Sequence, residues 1–461
     1  MKFLRSFFVV LICLVLNYES KAETSNARPE GADASSEVVV NVNRGVMKKI
    51  SIAINISENL ISRNFAPIKH DIETVMINDL ESTSLFKGIP KNAFMQRLNG
   101  ISAAPSFPVW KKIKAQYLLN TEVQVDEDGS LTISFVLYDV LSEAPAGTFK
   151  ISGDVRDWRK MAHLTANNIY ERIIGEKGYF ETKLLYISIN KNQKGQKIHR
   201  LAMMDQDGYN HKFLTSGLSV VLTPRLAPGG NECAYFTYRE KIVNGRRIPV
   251  SASVYRYNLQ TGKIELIADF KGMTYAPRYS PDGNLLIFSL SDRGASSIYT
   301  FNLQTKEIRR LTKGRCIDTS PCYSPDGKQI VFNSDRGGTQ QLYVMNEDGS
   351  NIRRLTFSKG RYATPAWSPR GDWIAFTKFG AGGFYIGVVR PNGSGERMIA
   401  SGHLVEGPTW SPNGRVILFT HQDYSKKEKI FSVDITGYNK REISTPFNGI
   451  DPEWSRNIRA S

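Results

Sequence analysis

The sequence predicts a multidomain chain, α/β plus all-β: a small N-terminal α/β domain followed by a six-bladed β-propeller. Three observations carry this. A four-residue turn motif recurs through the second half at steps of 44, 44 and 43 residues. Short β-branched and aromatic runs of alternating polarity follow each recurrence. The first half has no such repeat and interleaves strand-like runs with two stretches of helical periodicity.

The chain begins with an address. Lys2 and Arg5 precede an apolar run from Phe7 to Leu16, and a polar stretch closes on Ser20-Lys21-Ala22. A basic flank, a short apolar core and small residues at the minus-three and minus-one places predict a secretory signal over 1–22. Cys13 follows Ile12 rather than a small residue, which argues against a lipid-anchored cysteine. Residues 23–36 are rich in Ala, Ser, Gly, Pro and charge, the composition of a flexible tail.

The α/β domain is expected over 37–178. Glu37-Val38-Val39-Val40-Asn41-Val42 is β-branched and is broken before Gly45, and Ile50 to Ile56 alternates as a strand. Ile68, Ile72, Val75, Met76 and Leu80 share one face of a helix. Leu118 to Val125 and Leu131 to Val140 flank Asp126-Glu127-Asp128-Gly129, a hairpin signal. Trp158, Met161, Ala162, Thr165, Ile169 and Ile173 mark a second amphipathic helix, with Asp157 placed to cap it.

The propeller is expected over 179–461. Ser280-Pro281-Asp282-Gly283 returns as Ser324-Pro325-Asp326-Gly327, Ser368-Pro369-Arg370-Gly371 and Ser411-Pro412-Asn413-Gly414, with worn copies at Ala227 and Trp454. Proline presets φ at the second turn position, Asp or Asn suits the third, and Gly ends the turn. Four short strands per repeat, punctuated by turns, are the signature of propeller blades. Leu184 to Ile189 has no turn motif before it, while the chain ends where another strand is due. Joining the two would close the ring and remove its exposed edges.

Composition narrows the function classes. Sixty Lys and Arg against 44 Asp and Glu give a formal charge of +16, which invites a nucleic-acid reading. An export signal weakens it. The charge falls at repeated positions such as Arg309-Arg310 and Arg353-Arg354, as in a solvated basic rim, so no nucleic-acid partner is expected, and no run is long enough to span a bilayer. The chain contains no Gly-x-Ser-x-Gly elbow, no His-Glu-x-x-His and no close cysteine pair of zinc spacing. Gly380-Ala381-Gly382-Gly383 reads as a tight turn, and Asp282 and Asp326 recur as turn residues. Asp292-Arg293-Gly294 and Asp335-Arg336-Gly337 suggest turns held by a salt bridge. Cys233 falls on an apolar strand position and is expected as a buried thiol, whereas Cys316 and Cys322 could bridge or stay free. No catalytic residue, metal or cofactor is assigned, and an enzyme is not expected.

Binding residues are expected on loops that the blades hold rigid around the central opening. One set precedes a recurrent proline: Thr223-Pro224, Ala276-Pro277, Ser320-Pro321, Thr364-Pro365, Gly407-Pro408 and Asp451-Pro452. The candidates are Met273, Thr274, Tyr275, Ala276, Asp318, Thr319, Ala363, Glu406 and Ile450. Their variety suits one partner better than a symmetric structural ring.

With these pieces assembled, the chain resembles the TolB family of periplasmic propeller proteins of the Tol-Pal envelope system. The resemblance covers nearly all of the chain after the signal. It rests on Glu37-Val38-Val39-Val40 ahead of Gly45, Leu137-Tyr138-Asp139-Val140, Ala162-His163 with Ile169-Tyr170-Glu171, Gly178 to Lys183, and the Ser-Pro-Asp-Gly blades. It implies a non-enzymatic periplasmic adaptor that supports outer-membrane integrity and envelope constriction during cell division. The implied partners are the lipoprotein Pal at the propeller opening and the inner-membrane protein TolA at Glu37, Val38, Val39, Val40, Asn41 and Val42, with other envelope proteins left open. A free β-branched segment suits capture by strand addition. The tail over 23–36 is longer than the family usually shows. The alternative of another class is a propeller that binds or hydrolyses a glycan or peptide at its mouth.

Overall fold

The structure, a computed structural model, describes residues 49–57, 66–243, 246–271, 273–292, 294–380 and 382–456. The expected signal over 1–22, the expected tail over 23–36 and Glu37 to Val42 lie outside the described residues.

In the α/β part, β1 (Ile50–Ile56) leads to α1 (Ala66–Ser82), β2 (Phe86–Gly88) and a short helix α2 (Phe107–Lys112). Then come β3 (Tyr117–Val125), β4 (Ser130–Asp139), β5 (Ala144–Asp154) and α3 (Trp158–Ile174). The sheet order is β2-β1-β3-β4-β5, with β1 parallel to both neighbours and β3 to β5 an antiparallel meander. The expected hairpin forms at Asp126, where Gly129 takes φ 84° and its N–H donates to the Asp126 carbonyl. Ile72, Met76 and Leu80 of α1 and Ala162 and Ile169 of α3 are fully buried on one face of the sheet, as the 3.6-residue period requires.

Two details depart from the sequence reading. Asp157 makes no side-chain cap. The Asp154 carboxylate instead accepts from the Arg156 N–H at 2.8 Å, because a 3-10 turn precedes α3 and moves the start signal upstream. The other face of the sheet is covered as well, by a satellite core of Ala53, Leu98, Trp110, Leu118 and Val140 built around α2. Its sequence signal is Ser106-Phe107-Pro108, a polar residue ahead of a proline in the first helical turn.

Six four-stranded sheets make the ring. Blades 1 to 5 span 222–271, 273–310, 319–354, 361–402 and 404–443; blade 6 joins 448–454 to three strands within 183–213. Closure is as expected: the terminal strand Asn448–Trp454 pairs antiparallel with Lys183–Lys191, setting Trp454 opposite Leu184 and Ile450 opposite Ile187. Ser455 and Lys183 seal the join with two 2.8 Å hydrogen bonds. Alternation along the second strand serves both neighbours. Leu286 and Phe288 pack on blade 1, while Ile287 packs on blade 3. Ile330 and Phe332 face blade 2, and Val331 faces blade 4.

The α/β part shares the ring's core. Tyr179, Phe180, Val416, Leu418, Ile430 and Trp454 belong to the same apolar cluster as α1 and α3. Polar ties reinforce it: the Asn413 side chain donates to the Lys177 carbonyl at 2.9 Å, and Arg370 pairs with Glu176 at 2.7 Å. No helix among the described residues is long and apolar enough to cross a membrane.

Candidate functional site

The two ends of the channel differ in construction. At one end the Ser-Pro-Asp-Gly turns are stapled by their own side chains. Ser280, Ser324 and Ser411 Oγ each accept the N–H five residues on, at 2.9 Å, and each hydroxyl donates to the turn Asp or Asn. That hydrogen bond holds the Asp282 and Asp326 carboxyls below their ordinary range, so both carboxylates are committed to the turn. Gly283, Gly327, Gly371 and Gly414 take φ between 68° and 79°, which glycine alone adopts without strain.

At the other end lie the loops before the recurrent prolines. Thr223, Ser320, Thr364 and Asp451 sit at φ 39°, 53°, 46° and 52°, and Gly407 at 66°. For β-branched threonine this region is strained by about 1–3 kcal/mol. The structure shows what holds them. The N–H of Ser320 donates to Ser289 Oγ, that of Gly407 to Thr377 Oγ1, and that of Asp451 to Thr420 Oγ1, each acceptor on the preceding blade. The Thr223 N–H donates to Asp451 Oδ2 and latches the first blade to the last. Each left-handed residue is part of a bulge, so strand pairing slips just after Leu222, Thr319, Ala363, Glu406 and Ile450, and a slip also follows Tyr275 in blade 2.

Of the expected binding residues, Tyr275, Thr319, Ala363, Glu406 and Ile450 occupy equivalent places beside these bulges, but the set is not equally accessible. Ala363, Glu406 and Ile450 are half-buried at the opening. Asp318 and Thr319 are buried: Asp318 receives Arg336 Nη2 at 2.9 Å on both oxygens, and Thr319 Oγ1 accepts from the Asn333 side chain at 2.7 Å. Met273, Thr274, Tyr275 and Ala276 are placed by their backbone, on the innermost strand of blade 2. Glu37 to Val42 lie outside the described residues.

This end is acidic. Burial first, then the Asp451 and Glu428 carboxylates, push Glu406 up to about 8. Burial likewise raises Asp451 to about 6, against the pull of Arg225.

Other sequence features resolve as follows. The Asp335-Arg336 turn is not closed by its own ion pair: Arg336 reaches Asp318, while Asp335 Oδ1 accepts the Ile317 N–H at 2.7 Å. Both residues thus tie the blade 3 loop to the turn beside it. The repeated arginines are more than a solvated rim. Arg309, Arg353 and Arg397 each donate to a backbone carbonyl of the next blade, at Asp348, Pro391 and Ile435. Gly380 and Gly383 pair across a hairpin, as the tight-turn reading requires. Cys233, Cys316 and Cys322 are free thiols, and burial raises the Cys233 thiol.

One cluster has no signal in the local sequence. Asp79 on α1, His163 on α3 and Asp207 of blade 6 bring their donor atoms within 4.8 Å of one another. His163 Nδ1 lies 2.6 Å from Asp79 Oδ2, and Gln206 donates to the other Asp79 oxygen at 2.9 Å. The Arg159 guanidinium is already seated on Asp207, so this set reads as an ionic latch between the α/β part and the ring rather than a metal centre. Burial opposes a charged His163, yet Asp79 overcomes it and holds the imidazole above its ordinary value; burial pushes Asp79 up to about 6. The 84-residue separation of Asp79 and His163 hides the pair from any local pattern.

Comparison with known proteins matches these parts in the same order. Residues 38–146 match the TolB amino-terminal domain, and residues 170–458 match the TolB beta propeller domain. The Tol-Pal system protein TolB of Rickettsia felis is 50% identical over 429 residues, covering 90% of this chain and 94% of that protein. That of Rickettsia prowazekii is 49% identical over the same shares. The crystal structure of TolB from Acinetobacter baumannii superposes with a TM-score of 0.76 at 24% identity, covering 89% of this chain and 97% of that one, and shows the same fold. The chain belongs to the TolB family of the Tol-Pal system.

Proposed function

We propose that this chain is a non-enzymatic periplasmic adaptor that binds the lipoprotein Pal at the pre-proline end of its channel and TolA through Glu37 to Val42. In this role it supports outer-membrane integrity and envelope constriction during division. The observation that supports it best is the half-identity to Tol-Pal proteins over 90% of the chain. The pre-proline end suits the role. Its loops are held in costly left-handed bends by bonds from neighbouring blades, while the half-buried side chains beside them differ from blade to blade. Strain maintained around an opening is a common mark of a binding surface.

The test uses the full chain, immobilised and offered purified Pal. Retention of Pal is expected, and its loss in Ala363→Arg and Ile450→Asp with an unchanged thermal midpoint would locate the contact. Both sites are half-buried and tolerate the change better than buried Thr319 would. A wild-type chain that fails to retain Pal sinks the reading. Deleting residues 37–45 should abolish TolA binding and leave Pal binding intact.

A further inference from the structure

One place after each repeated proline, the innermost strands carry Arg225, Arg278, Cys322, Ala366, Thr409 and Glu453. All six line a single axial cavity of about 130 Å³ at the stapled-turn end, rimmed by Pro281, Pro325, Pro369 and Pro412, with Arg456 at its lip. The ring is symmetric in backbone and lopsided in charge.

Arg225 is nine-tenths buried, its side chain 10% exposed. Its Nη1 donates to the Pro224 carbonyl at 2.7 Å, but its Nε is buried without a hydrogen bond and stands 3.7 Å from Glu453 Oε2. Glu453 is shared with Thr409 Oγ1 at 3.2 Å, so it answers one guanidinium in part. Asp451, farther up the channel, also attracts Arg225 but is bonded to the Thr223 N–H. Arg278 Nε is buried and unbonded too, and Arg278 makes no ion pair among the described residues. Burial and the Arg278 charge both work against a charged Arg225. Three guanidiniums thus share the cavity with one carboxylate.

Buried donors without partners are rare, and each calls for an occupant or a compensating group. A cavity of this size holds about four waters, or one small oxyanion with a water or two. Carboxylate and phosphate oxygens match the guanidinium fork and form short charge-assisted bonds with it. We propose that this cavity binds a small oxyanion, a carboxylate or phosphate, between Arg225 and Arg278, with Glu453 and the rim prolines limiting its size. The site is at the opposite end of the channel from the proposed Pal surface and stands or falls independently of it.

The test titrates the full chain calorimetrically with sodium phosphate and, separately, sodium acetate, replacing chloride at constant ionic strength. Saturable binding of either anion is expected, with a thermal midpoint that rises with its concentration as linkage requires. Tighter phosphate binding would identify the ligand class as a dianion, and comparable binding of acetate as a carboxylate. Arg278→Ala should lower the affinity by about tenfold, the worth of one charge-assisted hydrogen bond. Without anion the same variant should be at least as stable as the wild type, because Arg225 loses a like-charged neighbour. Should Arg278→Ala fold poorly, Arg278→Gln carries the test. Absence of saturable binding by both anions, or unaltered binding in the Arg278 variant, overturns the proposal.

Discussion

The two ends of the propeller channel are built from the same repeat and treat its residues in opposite ways. At the turn end, glycine takes the left-handed position of each Ser-Pro motif and serine staples three of the four, so the backbone of these motifs is relaxed and the side chains repeat. At the pre-proline end, Thr223, Ser320, Thr364 and Asp451 are forced into the left-handed region, and the side chains before them vary from blade to blade. The first end maintains the ring. The second is shaped at a cost.

Removing a staple should have the largest effect. Ser411 is fully buried, and its hydroxyl accepts the Val416 N–H at 2.9 Å. Ser411→Ala strands that amide and removes one of the Asn413 side chain's three hydrogen bonds, so urea denaturation should show a loss of about 2 kcal/mol. A loss below about 0.5 kcal/mol would mean the staple is redundant with the backbone ladder and that the turn end is not what holds the blade.

Relieving the strained end should do the reverse, on a smaller scale. Thr223 combines a β-branched side chain at φ 39° with a buried hydroxyl that has no hydrogen bond. Blade 5 already carries Gly407 at the equivalent place. Thr223→Gly removes the strain and the orphan hydroxyl while paying for glycine's extra chain freedom, a net gain of about 1 kcal/mol. A destabilised variant would show that Thr223 is not strained and would remove the contrast between the ends.

This asymmetry explains what could be read in advance. The turn end repeats every 44 or so residues, so its motifs, the blade count and the closing strand from Leu184 to Ile189 are visible by simple comparison of segments. The alternation in Leu286-Ile287-Phe288 is likewise local, and its two faces pack as expected. Long-range pairings were not visible. Arg336 reaches back 18 residues to Asp318, and Asp79 meets His163 across two helices. The X-Pro pairs mark where the strands bulge, but not that Asp318 and Thr319 are buried there while Ala363, Glu406 and Ile450 are half-buried. The arginines at 225 and 278 did have a signal: aligning the residue after each repeated proline puts two cations in a ring otherwise of Cys, Ala, Thr and Glu.

The ends should also differ in their response to pH. Glu406 carries its proton in the folded protein up to about 8, against an ordinary 4.5 in the unfolded chain. Over that interval the folded state binds more protons, so stability contributed by this group falls as pH rises from about 4.5 towards 8. Asp451 acts in the same direction between 3.8 and about 6, as does Asp79 at the latch. The thermal midpoint of Glu406→Gln, which mimics the protonated acid, should match the wild type below about pH 4. It should exceed the wild type by pH 8, with the gap opening steadily from about pH 4.5 upwards. Arg278→Ala should show no such gap, because a guanidinium does not titrate in this range. Parallel pH profiles for wild type and Glu406→Gln would mean that the carboxyl at the opening is ionised and solvated like any other. The pre-proline end would then be negatively charged at neutral pH, and a partner docking there would have to bring positive charge to it.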